Sequence, residues 1–164
     1  MNAITQGTMS DIQSLLRLRS RVIEDMEQCD IKQWSDNYPN KRILEDDINH
    51  CALYVLKHGR SLISSVTIKP EDDPAYHVLS WQGNHAMVIH RLMIDPAYMR
   101  RGIGNRMFAF AERLAYKMGY DTIKVDTHPD NYRMLGLIRK NDYKEVGYMA
   151  SINRIGFEKQ LHQN

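Results

Sequence analysis

Between His85 and Thr127 the chain runs strand, glycine turn, helix, strand. "HAMVIHRLMID" is a mostly apolar run of strand length closed by Pro96, which reads as a buried central strand. "RRGIGNRM" follows. Ile103, Met107, Phe110, Leu114 and Met118 then recur at helical spacing, and Gly119 sits where a helix ends. "DTIKVDT" is a second strand. A strand, one helix and a further strand suggest a parallel pair joined by a right-handed crossover, so a sheet with at least one parallel ladder is expected. A helix N-terminus also leaves N–H groups without partners and carries about half a positive charge. Bare glycine backbone at that point lets an anion approach, and Arg100 and Arg101 add charge. Read alone, the fragment fits equally well a tight turn with two solvated arginines.

The flanking sequence extends the pattern. "AIT" near Ala3 is a short strand candidate. Ser10 begins a helix, with Gln13 in capping-box relation to it and a stripe of Ile12, Leu15, Leu16, Val22, Ile23 and Met26. "CDIKQWSDNYPN" reads as a loop, and Lys41 to Asn49 as a second helix. "ALYVLKHGRSLISSVTIKP" divides at "KHGR" into a hairpin around Gly59, and "EDDPAYH" reads as a polar loop. Pro129 is placed to open a further helix, carrying Met134, Leu135, Leu137 and Ile138. "YKEVGYMAS" and "RIGFEKQL" close the chain as strands. The order β-α-α-β-β-β-α-β-α-β-β predicts an α/β (α+β) protein, a sheet flanked by helices. With 164 residues, one domain is expected.

Several function classes recede. The 43% hydrophobic and 26% charged content is ordinary for a globular protein, and a formal charge of +2 is too small to imply nucleic acid. No stretch approaches the roughly 20 apolar residues of a membrane span, and the first residues show no signal-peptide pattern. Two cysteines, Cys29 and Cys51, make no disulfide framework, so a reducing, cytoplasmic setting is expected. Asp126, His128 and Asp130 alternate, but no second ligand cluster accompanies them, so no metal is expected. "GIGNRM" lacks the Lys-Ser/Thr of a Walker loop, and Met107 stands where a dinucleotide fingerprint needs its third glycine.

"LMIDPAYMRRGIGNRM" resembles motif A of the GNAT superfamily of acyl-CoA-dependent N-acyltransferases: a strand, an Asp-Pro turn and an Arg/Gln-x-x-Gly-x-Gly/Ala loop opening a helix. Gly102, Ile103 and Gly104 match the Gly-x-Gly; Met99 departs from the usual Arg/Gln. "DTHPDNYRMLGLIRKNDYKEVGY" is similar to motif B, with Asn131, Leu137, Lys140 and Tyr143 matching. Ile138 replaces the tyrosine often assigned as general acid, and Asp142 replaces a glycine. The resemblance covers about Ala86 to Tyr148. It implies a GNAT fold: a mixed, mostly antiparallel central sheet flanked by helices, with a splayed parallel pair at the cofactor site. It implies acetyl-CoA (coenzyme A) as cosubstrate, with the pyrophosphate held by Arg100, Arg101, Gly102, Ile103, Gly104 and Asn105 and the pantetheine arm paired to the backbone of Leu92, Met93 and Ile94. Asn131 would also contact the cofactor.

The resemblance further implies acetyl transfer to an amine by direct attack in a ternary complex; an acyl-CoA-binding or sensor protein on the same fold is the alternative. A neutral amine is needed, so a base is sought at the strand ends. His90 and Asp126 are the candidates, each with a structural role as the alternative; His128 fits better as a loop or cap residue. Strand alternation lets only one of His90 and Arg91 face a cleft. Trp34 and Tyr38 are candidates for the acceptor wall, or anchors of their loop. The expected partner is a small-molecule or peptide amine, with neither nucleic acid nor membrane, and a homodimer is compatible with the resemblance.

Overall fold

The computed structural model describes residues 2–35 and 37–162. The elements follow the expected order. They are β1 (Ile4–Gln6), α1 (Ile12–Gln28), α2 (Lys41–Asn49), β2 (Leu53–His58), β3 (Ser61–Pro70), β4 (Ala86–Ile94), α3 (Ile103–Lys117), β5 (Thr122–Thr127), α4 (Tyr132–Lys140), β6 (Lys144–Met149) and β7 (Arg154–Gln160). The chain divides into two compact units. One takes the chain up to Ile68 together with Arg91–Gly104; the other takes Lys69–His90 and the chain from Asn105 onward.

In the first unit β1, β2 and β3 pair antiparallel, and the last residues of β4 lie next to β3. Gly59, at φ +60°, makes the tight β2–β3 turn. β3 is buried on both faces from Leu62 to Ile68, as a strand covered on two sides must be. Ile12, Leu15, Leu18 and Val22 of α1 meet Leu44 and Ile48 of α2 and Leu53, Val55, Leu62 and Met93 in one core. Leu15 and Leu18 are fully buried, each removing a side chain from water for about 1.5–3 kcal/mol. The capping signal before α1 sits two residues earlier than expected. A short 3-10 turn, Met9–Asp11, precedes the helix, and the carboxylate of Asp11 accepts from the Thr8 N–H at 2.9 Å. Asp11 is buried and ion-paired with Lys57 at 2.8 Å, which Ser10 and Gln13 could not provide.

In the second unit β4 and β5 are parallel, Ala86–Ile89 lying against Thr122–Val125, as a strand–helix–strand crossover requires. β7 inserts antiparallel between β5 and β6. Tyr76, Val88 and Met149 form a core cluster with Leu79, Trp81 and Ile152 against it. "EDDPAYH" is more than a polar loop: Pro74–Val78 is a 3-10 turn whose Tyr76 is buried and stacks on Trp81 at 5.1 Å. Lys124 is buried beside Glu71, its ammonium 4.3 Å from the centre of the Trp81 ring. Pro129 does not open α4; that helix begins at Tyr132, because the Asn131 side chain caps it. Among the described residues, no helix is long and apolar enough to cross a membrane.

Gly83 shows how closely the second unit packs. Its N–H donates to Glu158, and an added Cβ would stand 1.9 Å from Thr122 Oγ1. Gly83→Ala is expected to cost about 1–3 kcal/mol, read as a lower urea midpoint with an unchanged denaturant slope.

Candidate functional site

The turn after β4 is built by Asp95. Its N–H donates to Ile63 O at 2.8 Å, tying the strand end to β3. Its carboxylate accepts from the Ala97 N–H at 3.0 Å and from Arg21 Nη2 at 2.8 Å. Pro96 starts a 3-10 turn that runs to Tyr98. Met99 is extended, Arg100 takes φ +58° and Gly102 φ +76°. Nothing lies within 4 Å of a Cβ built on Gly102, so glycine there answers the left-handed backbone, not crowding. Two left-handed residues within three reverse the chain into α3 at Ile103. The first N–H groups of that helix, at Ile103 and Gly104, have no acceptor within the helix. Arg100 is exposed, while the Arg101 guanidinium lies 5.1 Å from the centre of the Tyr98 ring. This turn therefore combines the N–H end of a helix, its positive dipole and two exposed arginines: the elements of an anion site.

The residues leading into the turn are held on one side. Met93 is fully buried in the first unit's core, and its carbonyl accepts the Ser64 hydroxyl at 2.7 Å; Leu92 and Ile94 are half-buried. Regular alternation from His90 to Arg91 is not observed. Arg91 takes φ +51°, a left-handed kink within β4. Its side chain is held from α2: Arg91 Nε and Nη2 grip Asp47 at 2.8 and 2.7 Å. Arg91 Nη1 also reaches the Tyr38 hydroxyl at 3.3 Å. Trp34 meets Tyr38 edge-to-face at 6.5 Å and packs against the first unit's core, whereas Tyr38 is 38% exposed. Of the two loop aromatics, Trp34 is an anchor and Tyr38 keeps an open face.

In the second unit His90 and Asp126 are the next residues beyond the parallel ladder of Ala86–Ile89 with Thr122–Val125. His90 is half-buried. The Tyr76 hydroxyl donates to Asp126 Oδ2, and Arg154 Nε lies 3.8 Å from Oδ1. Burial pushes the Asp126 carboxyl above the usual range; the Tyr76 hydrogen bond and the Arg154 charge pull it back only in part, and Asp73 adds to the rise. Tyr76 is itself pushed far up, by burial first and then by the Asp126 charge, so it is a fixed hydrogen-bond donor. The result is a carboxylate with one oxygen oriented and a raised proton affinity, which is what a general base at neutral pH requires.

The neighbouring groups are engaged in local structure. His128 Nδ1 accepts the Asp130 N–H at 3.0 Å, and its Nε2 lies 3.0 Å from the side-chain nitrogen of Asn153. That is the cap role expected of His128. Asn131 is buried, with Oδ1 accepting the Met134 N–H at 3.0 Å, and Asn105 Oδ1 accepts from Asn141 at 3.0 Å. Ile138 is fully buried. Tyr143 is a core residue against Phe108, its hydroxyl 3.2 Å from Glu112 and its pKa driven well up by burial and by that carboxylate. Asp142 takes φ +65°, the conformation for which the family's glycine is suited. Among the described residues no group of three or more His, Cys, Asp or Glu is placed to hold a metal. Sequence reading missed Tyr76 and Asp47. Each lies more than forty residues from its partner, and neither belongs to a local motif.

Comparison with known proteins places this geometry. No curated protein matches. Among solved structures, a GNAT-family acetyltransferase from Streptococcus agalactiae shares 20% identity at a TM-score of 0.81, covering 98% of this chain and 96% of its own. One from Listeria monocytogenes shares 18% at 0.79, covering 97% and 94%. The PaiA N-acetyltransferase from Thermoplasma acidophilum, solved in complex with coenzyme A, shares 16% at 0.77, covering 98% and 99%. At these identities the likeness is one of fold. The sequence model described as the acetyltransferase (GNAT) family matches residues 19–143, most of the chain, with the first motif block and the second as far as Tyr143, so the protein belongs to the GNAT acetyltransferase family.

Proposed function

We propose that this protein is an N-acetyltransferase that moves an acetyl group from acetyl-CoA to a primary amine by direct attack in a ternary complex. The reading takes residues 1–164 as one transferase domain and the cytoplasm as its setting. The observation that carries it is the Asp95–Gly104 turn, in which two left-handed residues lead the chain into the N-terminus of α3. In this reading Arg100 to Asn105 hold the pyrophosphate. The strand backbone of Leu92, Met93 and Ile94 pairs with the pantetheine arm as an added strand would. Asn131 adds a polar contact.

Asp126 is the base. Its Oδ1 takes a proton from the acceptor ammonium, while Tyr76 keeps Oδ2 in place. The amine nitrogen bonds to the acyl carbon and an N–H donor on the Leu92–Ile94 strand meets the oxyanion; as the C–S bond breaks, the nitrogen gives its extra proton to water. With Ile138 buried, the thiolate leaves through water or unprotonated. Exposed Tyr38 contributes to the acceptor wall. The acceptor is a small-molecule or peptide amine.

Calorimetric titration with acetyl-CoA, with ATP and NADH as controls, is the first test. Micromolar affinity for acetyl-CoA alone is expected, and no binding overturns the reading. Binding without turnover across a broad amine panel would favour an acyl-CoA sensor. Gly104→Val should weaken acetyl-CoA roughly 10- to 100-fold by removing amide–phosphate contacts, with an unchanged far-ultraviolet spectrum.

Asp126→Asn should slow transfer by about 100-fold or more with cofactor affinity unchanged. Greater loss in His90→Ala than in Asp126→Asn would reverse the assignment. The same variant should be more stable than the parent at pH 7. The folded-state pKa of Asp126 lies above its unfolded value of about 3.9. Stability held below that value is therefore lost as pH rises through the folded pKa. Asn does not titrate, so the difference in Tm should close as pH falls toward 4.

A further inference from the structure

Arg91 is an arginine in a glycine conformation. A side chain at φ +51° crowds its own carbonyl, at a cost of roughly 1–2 kcal/mol. Something must hold it there, and the guanidinium shows what. Arg91 and Asp47 form a two-point fork at 2.8 and 2.7 Å, with 10% and 8% of their side chains exposed. Asp47 Oδ2 also accepts the Thr67 hydroxyl at 2.7 Å, and Thr67 is buried on β3. A third guanidinium nitrogen reaches Tyr38, and the Pro39 carbonyl beside it accepts from Arg19 at 3.0 Å. Asp47 gains nothing as a helix residue: it lies in the last turn of α2, where the helix dipole disfavours a carboxylate. Its position is explained by Arg91. One carboxylate thus joins α2, β3, the aromatic loop and the kink in β4. The residues directly after the kink are Leu92, Met93 and Ile94.

We propose that Asp47 is a positioning residue for the cosubstrate. By gripping Arg91 it holds residue 91 in the left-handed conformation, and so presents the backbone of Leu92–Ile94 in the orientation that receives the pantetheine arm. The inference rests on the proposed function for the ligand, but it makes a separate claim: the backbone conformation of one residue, enforced by one ion pair, governs cosubstrate affinity. A merely structural ion pair would move stability and leave affinity alone.

Two double variants separate these cases. Asp47→Ala with Arg91→Gly removes both charges and puts the residue that adopts φ +51° freely at position 91. Asp47→Ala with Arg91→Ala removes the same charges but leaves a residue that resists it. Acetyl-CoA titration well below each Tm should find the glycine variant within about 3-fold of the parent and the alanine variant roughly 5- to 10-fold weaker than the glycine one, the share of molecules that lose the kink. Asp47→Ala alone should show a lower Tm and weaker binding, since it leaves a buried guanidinium unpaired. If Asp47→Ala backgrounds do not fold, Asp47→Asn, which keeps the shape and the Thr67 contact, supports the same glycine–alanine comparison. Equal affinity in the two double variants, whether parental or weak, overturns the proposal. A parent that binds no acetyl-CoA overturns the functional reading and this one with it, and that result is visible before any variant is made.

Discussion

The ion pair of Arg91 with Asp47 is the contact on which the first unit's working end depends. Taking two charges out of water costs several kcal/mol per ion, and their attraction offsets this only when geometry is good and the remaining polar atoms are satisfied. Here both conditions hold. The fork is two-pronged, Thr67 takes part of the carboxylate's remaining capacity, and the Tyr38 hydroxyl lies beside the third nitrogen. Such a pair is worth little as bulk stabilisation, because an apolar replacement could fill the space. It specifies a conformation instead: a strand that would otherwise run straight carries one left-handed residue at a fixed place.

The same division of labour recurs at the Asp95 turn. Asp95 uses its backbone N–H on β3, one carboxylate oxygen on the turn and the other on Arg21. The turn is thus fixed by polar contacts within the first unit, so Gly102 and Arg100 can hold left-handed angles without a side-chain buttress. The turn delivers the chain to the N-terminus of α3, whose first N–H groups have no acceptor within the helix, and donors in a fixed array suit an anion. In the second unit Tyr76 does for Asp126 what Asp47 does for Arg91. It is a buried partner from a distant segment that fixes one oxygen of the carboxylate, while Arg154 lies 3.8 Å from the other.

Much of this was legible before folding. The alternation of apolar runs and glycine turns marked nearly every strand and helix, including the crossover of β4, α3 and β5, because helical and strand periods leave different signatures in side-chain spacing. The resemblance of "LMIDPAYMRRGIGNRM" to a family motif was legible for the same reason: an anion-binding turn is built from contiguous residues. Local chemistry was misread where two signals competed. Thr8 and Asp11, not Ser10 and Gln13, stand at the start of α1, and Asn131, not Pro129, sets the start of α4.

The sequence by itself determined the order of elements, the glycine turn and the family, since each rests on local spacing or on a contiguous motif; the parallel ladder followed from the crossover of strand, helix and strand. Only the tertiary structure decided that Tyr76 is a buried donor to Asp126 and not part of a polar loop, that Trp34 is an anchor while Tyr38 keeps an open face, and that Arg91 breaks the alternation of β4. The physical reason is separation. The carboxylate that kinks β4 lies 44 residues away along the chain, and the phenol that orients Asp126 lies 50 away. No periodicity or spacing rule reports on partners that meet only when the chain has folded.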